Sequence, residues 1–333
     1  MLIAGDIGGT KTDLAIFSVE AGPHNPLAQE TLRSADYPSL QVMVKEFLNK
    51  VKMPVDRACF DVAGPVIGGR VKTTNLPWVV DEASVAKELN LNLRAVHLLN
   101  DLEAVARAIP ILRPSDMQTL NAGKPIPRGA IGVVAPGTGL GESFLTWEGS
   151  HYVAHSSEGG HSDFAPRNER QIRLLEYMLK KFDHVSFEHV CSGIGIPNIY
   201  GYLRDVEHVP ENPDVAKQIA AAGDPSFVII NHAFDPASPS KLCAATIDLF
   251  ASILGSEAGN VALKVLATGG VYLGGGVVVH TLEALQGPRF MEYFKRKGRF
   301  AELMERIPIQ VITTHAALVG AADYGLGNSM HQS

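Results

Sequence analysis

Gly5-Asp6-Ile7-Gly8-Gly9-Thr10 joins the end of an apolar run to a turn of glycine and threonine, and Ala135-Pro136-Gly137-Thr138-Gly139-Leu140-Gly141 repeats this pattern. A third glycine-rich turn, Gly269 to Gly276, again frames an apolar strand. Glycine allows the backbone to come close to a phosphate with its N–H groups turned toward the oxygens, and threonine adds a hydroxyl donor. The recurrence indicates two similar halves, each with a turn suited to phosphate.

Each turn by itself is open to another interpretation. The segment from Gly5 to Thr12 departs from a P-loop because Thr10 stands where a glycine should precede Lys11. Gly137-x-Gly139-x-Gly141 lacks the spacing of a dinucleotide fingerprint. Gly8-Gly9 and Gly274-Gly275-Gly276 fit tight turns or close strand contacts equally well. The combination of the three turns, rather than any one of them, favours phosphate binding.

Apolar runs typical of strands alternate with segments of helical period, which predicts an α/β architecture. The predicted strands are 14–17, 57–62, 95–99, 132–135 and 271–273, and the predicted helices are 40–51, 102–109, 169–182 and 241–266. A stretch with proline, serine and asparagine between Ile109 and Gly132 is predicted to be a loop that houses a domain crossover. Since 333 residues exceed the roughly 250 to 300 residues of a single core, two lobes are expected.

Composition and charge argue against several partners. The formal net charge is −6 at pH 7, so no basic surface is available to displace counterions from nucleic acid. The cysteines at 59, 191 and 243 are odd in number and far apart, which argues against a disulfide framework and a zinc site. The longest uncharged stretch, 265–279, is too short for the roughly 20 apolar residues of a membrane span. With no signal-peptide layout at the start, a cytoplasmic protein without nucleic-acid or membrane partners is expected.

Asn100 and Asp101 end the predicted strand at 95–99 and open the helix that follows. A carboxylate at such a strand end can orient a substrate hydroxyl and accept its proton during phosphoryl transfer, which makes Asp101 the candidate base. Either residue also fits a helix N-cap, and both roles can coexist in the pair. Asp6, just ahead of the first turn, is a candidate ligand of Mg²⁺ through water, because that ion keeps most of its hydration shell.

Glu158-Gly-Gly-His161-Ser-Asp163 sets an acid and an imidazole in a glycine-containing loop that can wrap a small polyol and bond adjacent hydroxyls. A solvated loop, in which His161 bonds only to backbone, fits the same residues. Glu188 follows Ser186, a candidate N-cap, so an acid favoured by a helix dipole is its simplest interpretation. The chain has no Gly-x-Ser-x-Gly elbow and no His-Glu-x-x-His pair, which disfavours a serine hydrolase or a zinc peptidase.

A series of short motifs, taken in order along nearly the whole chain, resembles the bacterial glucokinase family of the actin-like ATPase superfamily. The motifs are Asp6-Ile-Gly-Gly-Thr10, Ala63-Gly-Pro65, Thr74-Asn75-Leu-Pro-Trp78, Leu99-Asn100-Asp101, Gly137-Thr-Gly-Leu-Gly141, Glu158-Gly-Gly-His161, His184-Val-Ser-x-Glu188, Gly274-Gly-Gly276 and Lys297-Gly-Arg-Phe300. Each motif is short, but their order and spacing together make the resemblance specific.

The resemblance implies an α/β fold of the two-domain actin-like, hexokinase-like (ribonuclease H-like) class with a cleft between the lobes. A small domain of residues 1–110 plus 310–333 and a large domain of residues 111–309 are expected. The implied activity is ATP-dependent phosphorylation of D-glucose to glucose 6-phosphate, with Asp101 as catalytic base and closure of the domains over the sugar. A kinase for another hexose or amino sugar, or a non-catalytic sugar-sensing regulator, is the alternative.

The same likeness implies that Asn100, Glu158, His161 and Glu188 bind sugar hydroxyls. It implies that ATP is bound by Asp6, Gly8, Gly9, Thr10, Lys11, Gly137, Thr138, Gly274 and Gly275. Lys11 departs from the asparagine often found there and adds a positive charge beside the phosphates. The expected partners are glucose and Mg-ATP, and no zinc is expected, because the Cys-rich motif of the related repressor-type sugar kinases is lacking. Relatives are commonly dimers, which leaves a homodimer open.

Overall fold

The chain divides into two units in the computed structural model, which describes residues 1–73, 76–237 and 240–327. Unit 1 consists of Met1–Arg113, Tyr152–Ser156 and 314–327, and unit 2 consists of Pro114–His151 and Ser157–Thr313. Thr74 and Asn75 of the motif quoted above lie outside the described residues, as do residues 328–333 of the expected small domain. The domain boundaries named from the sequence stay a prediction.

The described residues form strands and helices in alternation. The strands are β1 (Leu2–Ile7), β2 (Lys11–Phe17), β3 (Ala28–Arg33), β4 (Arg57–Val62), β5 (Arg70–Lys72), β6 (Val79–Asp81), β7 (Val96–Asn100), β8 (Met117–Asn121), β9 (Ile131–Pro136), β10 (Leu140–Glu148), β11 (His151–Ser157), β12 (Gly270–Leu273) and β13 (Ile309–Ile312). The helices are α1 (Leu40–Val51), α2 (Glu82–Leu89), α3 (Asp101–Ala108), α4 (Glu169–Leu179), α5 (Gly195–Asp205), α6 (Pro213–Ala221), α7 (Pro225–Phe234), α8 (Lys241–Lys264), α9 (Gly276–His280), α10 (Leu282–Gln286), α11 (Pro288–Lys295), α12 (Ala301–Arg306) and α13 (Ala316–Gly327).

The main sheet of unit 1 has the strand order β3-β2-β1-β4-β7, in which β1, β4 and β7 are parallel, β2 is antiparallel to β1, and β3 is antiparallel to β2. Successive side chains of a strand point to opposite faces. Ile3 therefore joins a core with α1 and α2 on one face, whereas Leu2 and Ala4 join a core with α3 and α13 on the other. The arrangement brings the carboxyl ends of three parallel strands to one edge of the sheet.

The sheet of unit 2 repeats this connection. Strands β10, β9, β12, β13 and β8 lie side by side in that order, with β9, β12 and β13 parallel and β10 antiparallel to β9. The hairpin β9–β10 thus corresponds to β1–β2, and β12 and β13 correspond to β4 and β7. The two similar halves expected from the recurring turns are present at the level of the sheets.

Helix α8 runs through the core of unit 2 and is apolar around most of its surface. Within the described ranges it is the single helix long and apolar enough for a membrane span, but 83% of that apolar window is buried. Burial of this kind is typical of a core helix. The search for uncharged stretches did not find α8, because this helix contains the charged residues Lys241, Asp248, Glu257 and Lys264.

Most predicted elements lie where the apolar pattern indicated. The helix 40–51 and the strand 57–62 match α1 and β4 residue for residue, and the helix predicted at 169–182 ends at Leu179. The predicted loop 109–132 was wrong in part, because it contains β8, an edge strand paired only with β13. Most side chains of β8 are partly or fully exposed, so its sequence carries no apolar alternation.

Helices α3 and α13 approach so closely in unit 1 that only glycine fits at one point of contact. A Cβ atom added at Gly320 of α13 would overlap the carbonyl oxygen of Ala104 in α3. This backbone cannot rotate away as a flexible side chain does. The packing of α13 on the sheet therefore depends on Gly320.

Gly320→Ala is expected to lower the free energy of unfolding by about 1–3 kcal/mol, because the added methyl group pushes α13 away from α3. Gly327→Ala in the same helix is the matched control, since no atom lies within 4 Å of a Cβ added there. Its free energy of unfolding should stay within about 0.5 kcal/mol of the wild type. Urea unfolding followed by circular dichroism measures both, and equal losses would contradict the packing argument.

Candidate functional site

Three aspartates gather at the carboxyl edge of the unit 1 sheet. Asp6 near the end of β1 lies opposite Asp61 of β4 in the parallel register, and Asp101 follows β7 directly. Asp61 is 0% exposed. The sequence analysis missed it, although a charged residue inside the apolar strand 57–62 was a visible signal.

Burial sets the ionisation of these carboxyl groups. It raises the pKa of Asp6, and the interaction with Asp61 opposes that shift. Burial and then the charges of Asp6 and Asp101 raise the pKa of Asp61 well above its usual value. Neither carboxyl oxygen of Asp61 receives a hydrogen bond from an N–H or O–H group. Burial and the neighbouring charges therefore favour the protonated, neutral form of Asp61.

Asp101 opens α3, and its position is held by the cap of that helix. Asn100 is the N-cap, because its Oδ1 accepts hydrogen bonds from the N–H groups of Leu102 and Glu103 at 3.0 and 3.3 Å. The Asn100 side-chain nitrogen donates to the carbonyl of Gly64 at 3.1 Å, which ties the cap to the Ala63-Gly-Pro65 motif. The N-cap interpretation of Asn100 is confirmed.

The Asp101 carboxyl is held by hydrogen bonds from the start of α3 and from the Asn100 side chain. The Leu102 N–H donates to Oδ1 of Asp101 at 2.9 Å. Burial raises the pKa of Asp101 to about 6, although the hydrogen bond from Leu102 works in the opposite direction. A carboxylate with such a pKa is a stronger base than an ordinary aspartate and is still ionised at neutral pH.

The first glycine turn joins β1 to β2. The Gly8 N–H donates to the Lys11 carbonyl at 3.0 Å, and the Ser34 hydroxyl donates to the Gly8 carbonyl at 2.8 Å. The N–H of Gly8 is thus used inside the turn, and Gly9 and Thr10 form its tip. Thr10 and Lys11 are exposed.

A second charged pair lies beside this turn in unit 1. Nδ1 of His315 is 3.4 Å from Oδ2 of Asp13, and the Thr31 hydroxyl donates to Oδ1 of the same carboxylate. The interaction with His315 lowers the pKa of Asp13, and the interaction with Asp13 raises the pKa of His315. Sequence reasoning missed this pair, because its members are about 300 residues apart and no local pattern links them.

The second and third glycine turns lie together in unit 2. The turn between β9 and β10 is closed by a hydrogen bond from the Gly137 N–H to the Gly139 carbonyl at 2.9 Å. Gly275, which follows β12, has φ 84°, and a Cβ there would lie 2.5 Å from the Pro136 carbonyl oxygen. The N–H of Gly193 donates to the Gly137 carbonyl at 2.8 Å from the other side. The structure thus brings together Gly137, Thr138 and the turn after β12.

Glu188 links this turn to the Glu158–His161 loop. Its Oε2 accepts a hydrogen bond from the Leu140 N–H at 2.9 Å, and its Oε1 lies 3.9 Å from Nδ1 of His161. The Glu188 N–H also donates to the Gly160 carbonyl at 2.9 Å. Nε2 of His161 is 3.9 Å from Oε2 of Glu158, whose side chain is 82% exposed. The three predicted hydroxyl-binding side chains of unit 2 therefore form one cluster.

The interpretation of Glu188 as an acid in the first turn of a helix was wrong. Residues 187–190 form turns, and the next helix, α5, begins at Gly195. Ser186 is not the N-cap of a helix, and its hydroxyl is hydrogen-bonded to Nδ1 of His189 at 3.1 Å. Glu188 is held by two backbone contacts instead of a helix dipole.

Known proteins are similar in sequence to nearly the whole of this chain. The sequence fits the glucokinase family over residues 3–327. A glucokinase of Nostoc punctiforme is 41% identical over 338 residues, which cover 97% of this chain and 98% of the relative. The chain belongs to the glucokinase family.

Solved structures agree with the family. A glucokinase from an Antarctic psychrotroph is 31% identical, has a TM-score of 0.81 and is covered over 98% of both chains. A glucokinase from Balamuthia mandrillaris, solved in complex with glucose, has a TM-score of 0.78 at 20% identity, over 98% of this chain and 93% of that one. The predicted two-domain hexokinase-like α/β fold and the predicted family are confirmed. As a glucokinase-family member, the protein is a kinase, an ATP-binding transferase.

The Asp6 carboxylate of this glucokinase-family chain is an oxygen donor of the kind that Mg²⁺ prefers. Among the residues that the structure describes, no group of three or more His, Cys, Asp or Glu side chains is arranged around a metal position. A single partly buried carboxylate such as Asp6, with oxygen donors supplied by water and phosphate, is the arrangement that Mg²⁺ prefers.

The two oxygens of Glu188 have separable tasks, and substitution can distinguish them. Glu188→Ala is expected to lower the free energy of unfolding by about 1–3 kcal/mol, because the Leu140 N–H loses its acceptor. Glu188→Gln is expected to keep most of this stability, since an amide oxygen accepts the same hydrogen bond. Urea unfolding of both variants checks the contact, and equal destabilisation by Ala and Gln would contradict it.

Proposed function

We propose that the protein transfers the γ-phosphoryl group of Mg-ATP to the 6-hydroxyl of D-glucose, with Asp101 as the catalytic base. The observation that carries the proposal is the Asp101 carboxylate at the carboxyl edge of the sheet, with a pKa raised to about 6 and one oxygen held by Leu102. In this proposal the carboxylate accepts a hydrogen bond from the substrate hydroxyl. We further propose that the enzyme works in the cytoplasm, which agrees with its three buried free cysteines.

Asp101 accepts the proton of the sugar hydroxyl while that oxygen forms its bond to the γ-phosphorus. The bond between the γ-phosphorus and the oxygen that bridges it to ADP breaks, and ADP leaves with that electron pair. Little covalent chemistry falls to the protein in such a transfer, so positioning and charge dominate. Asn100 contributes by fixing the start of α3 and by a side-chain hydrogen bond to Asp101, and in this proposal its amide also binds a sugar hydroxyl.

Glu158, His161 and Glu188 bind the other sugar hydroxyls in this proposal. Carboxylate and imidazole groups form charge-assisted hydrogen bonds, which are shorter and stronger than neutral ones. Glu188 is the most firmly placed of the three, because its side chain is 20% exposed and its Oε2 is anchored on Leu140. Glu158 and His161 are mostly exposed and are free to adjust to the sugar.

The glycine turns bind the phosphates and the nucleotide. In unit 1 the residues are Asp6, Gly8, Gly9, Thr10 and Lys11. In unit 2 they are Gly137, Thr138, Gly274 and Gly275. Since Gly8 and Gly137 use their N–H groups inside their turns, the backbone donors to phosphate are those of the neighbouring tip residues. Mg²⁺, held by Asp6 through water, supplies charge neutralisation of the phosphates when it is bound.

Closure of the two units over the sugar is the remaining element of the proposal. Closure excludes water from the γ-phosphate and makes transfer depend on the correct substrate. Hydrolysis of ATP in the absence of sugar should therefore be slow compared with transfer to glucose. Rapid hydrolysis that glucose does not accelerate would contradict closure as a control of the reaction.

Asp101→Ala is expected to lower kcat by about 10²- to 10⁴-fold while leaving most of the glucose affinity, because the base is lost and the other sugar contacts remain. Asp101→Asn is the matched variant, since an amide preserves the shape of the side chain but cannot accept the proton. The assay is detection of ADP with Mg-ATP and glucose, mannose, fructose, N-acetylglucosamine or no sugar. Turnover of either variant near that of the wild type would exclude Asp101 as the base.

The sugar panel also separates the alternatives. Preference for another hexose or an amino sugar, lost in Asp101→Ala, keeps the mechanism and changes the substrate. ADP formation with none of the sugars would favour the sugar-sensing regulator over the kinase.

The pH dependence of kcat/KM for glucose is expected to show an acid limb with a midpoint near 6. The pKa of Asp101 is raised to about 6, so the base is ionised above this pH and protonated below it. Activity should therefore be lost as the pH falls through the limb and reach its plateau near about pH 7. Initial rates between about pH 5 and about pH 7.5 measure the profile, and a limb near the ordinary aspartate range of about 4 would contradict the assignment.

A further inference from the structure

Unit 2 buries a pair of carboxyl groups that the proposed reaction does not use. Glu142 of β10 is 5% exposed, and Glu257 of α8 is 0% exposed. Isolated buried carboxylates are unstable, and such groups usually shift their pKa and stay neutral or find a partner. The pair therefore needs a physical explanation.

Glu142 packs directly against the Glu158–His161 loop. Its Oε2 occupies the place that a Cβ atom at Gly159 would fill. The neighbouring Gly160 is buried, and a Cβ there would overlap the Leu140 carbonyl at the start of the same strand. The backbone of the loop thus rests on β10, and the Glu142 carboxyl is the polar group at that contact.

Glu257 is held from the opposite side by polar groups of α8 and of the segment after α11. Asn260 donates from Nδ2 to Oε2 of Glu257 at 2.7 Å, and Lys297 donates from Nζ to Oδ1 of Asn260 at 2.5 Å. Lys297 also donates to the Ser256 carbonyl at 2.8 Å. Lys297 begins the Lys-Gly-Arg-Phe motif singled out in the sequence, so this motif is joined to the pair through Asn260.

One oxygen of each carboxyl group has no N–H or O–H donor among the described residues. Neither Oε1 of Glu142 nor Oε1 of Glu257 receives a hydrogen bond from an N–H or O–H donor of the described residues. Nζ of Lys264 lies 3.6 Å from Oε1 of Glu257, within the range of an ion pair but beyond a hydrogen bond. The side chains of Glu142 and Glu257 are hydrogen-bonded to each other. A proton shared between the two carboxyl groups satisfies both and reduces their combined charge to one, which Lys264 and Lys297 can balance.

We infer that Glu142 is a positioning residue that donates a retained proton to Glu257, and that this acid pair holds the backbone of the Glu158–His161 loop in the geometry that binds sugar. The sugar-binding role of the loop rests on the proposed function. The inference itself rests on the burial of both groups, the contact with Gly159 and the two oxygens without an N–H or O–H donor.

The ionisation of Glu142 gives the inference a measurable signature. Burial and then the charge of Glu257 raise the pKa of Glu142 to about 8, and Lys264 acts in the opposite direction. Because the acid keeps its proton below this pH and loses it above, the pair becomes two buried carboxylates only in alkaline solution. Their repulsion then acts on the backbone that rests on Glu142.

Other ionisable groups around the pair have to be separated from Glu142. Cys191 has a buried thiol whose pKa is raised, first by burial and then by Glu257 and Glu142. Burial and Arg167 lower the pKa of Lys297 to about 8, in the same range as Glu142. The loop itself contributes Glu158 and His161, whose side chains are mostly exposed. Lys297 is the group whose titration most resembles that of Glu142.

The experiment is a pH profile of KM and kcat for glucose from about pH 7 to about pH 9.5, measured as ADP formation in wild type and Glu142→Gln. In the wild type KM is expected to rise roughly tenfold with a midpoint near 8, while kcat changes less than about twofold, because only sugar binding is affected. In Glu142→Gln, which donates a hydrogen bond at every pH, KM should stay flat. A change confined to protein stability would not separate KM from kcat in this way.

Two controls and a second variant complete the design. Glu148→Gln removes the exposed acid at the end of the same strand and should keep the rise of KM. Lys297→Met removes the amine that titrates in the same range and should also keep it. Glu257→Gln should abolish the rise of KM, because an ionised Glu142 then accepts a hydrogen bond from the amide. This second variant tests the inference if Glu142→Gln fails to fold.

The outcomes distinguish this inference from the proposed function. An active wild type with a flat KM profile, or a rise that survives Glu142→Gln but disappears in Lys297→Met, overturns the inference and leaves the kinase intact. A wild type that forms no ADP with glucose or any other sugar of the panel overturns the proposed function instead. A rise lost in Glu142→Gln and in Glu257→Gln, and retained in both controls, supports the acid pair.

Discussion

Parallel pairing of β1 with β4 and of β4 with β7 is the constraint on which the chemistry of unit 1 depends. Parallel strands end at the same edge, so residues that are far apart in sequence become neighbours there. Asp6, Asp61 and Asp101 are brought together in this way, and burial, followed by the charges of their neighbours, raises their pKa values. The basicity of Asp101 is thus a property of the sheet as much as of the side chain.

The features of this arrangement that depend on neighbouring residues were predicted from the sequence. Glycines at strand ends, the polar pair Asn100-Asp101 and the loop around Glu158 are short patterns whose meaning lies within a few residues, and periodicity located α1 and β4 without error. The family likeness supplied the order of the motifs and, through it, the fold class. These are features that neighbouring residues determine on their own.

The remainder depends on contacts across long sequence separations. The surroundings of Asp61 are set by β1, those of Glu142 by α8 and those of His315 by β2. These partners are distant in sequence, so no local pattern predicts the contacts. At Glu188 the local pattern was misleading, because Ser186 and Glu188 are typical of a helix start. Contacts with the backbone of Leu140 and Gly160 hold Glu188 in a turn instead. Local propensity is overridden wherever a tertiary contact is stronger.

The close approach of α13 to α3 also has a consequence for the order in which the chain acquires its structure. Leu318, Ala321 and Ala322 of α13 complete the core on one face of the unit 1 sheet, although β1 begins at Leu2 and all of unit 2 is made before α13. During synthesis from the amino end, α3 can pack on that face early, but the part that α13 covers stays exposed until α13 has left the ribosome. Unit 2 therefore has its full sequence available for folding before the core between α13 and the unit 1 sheet can form.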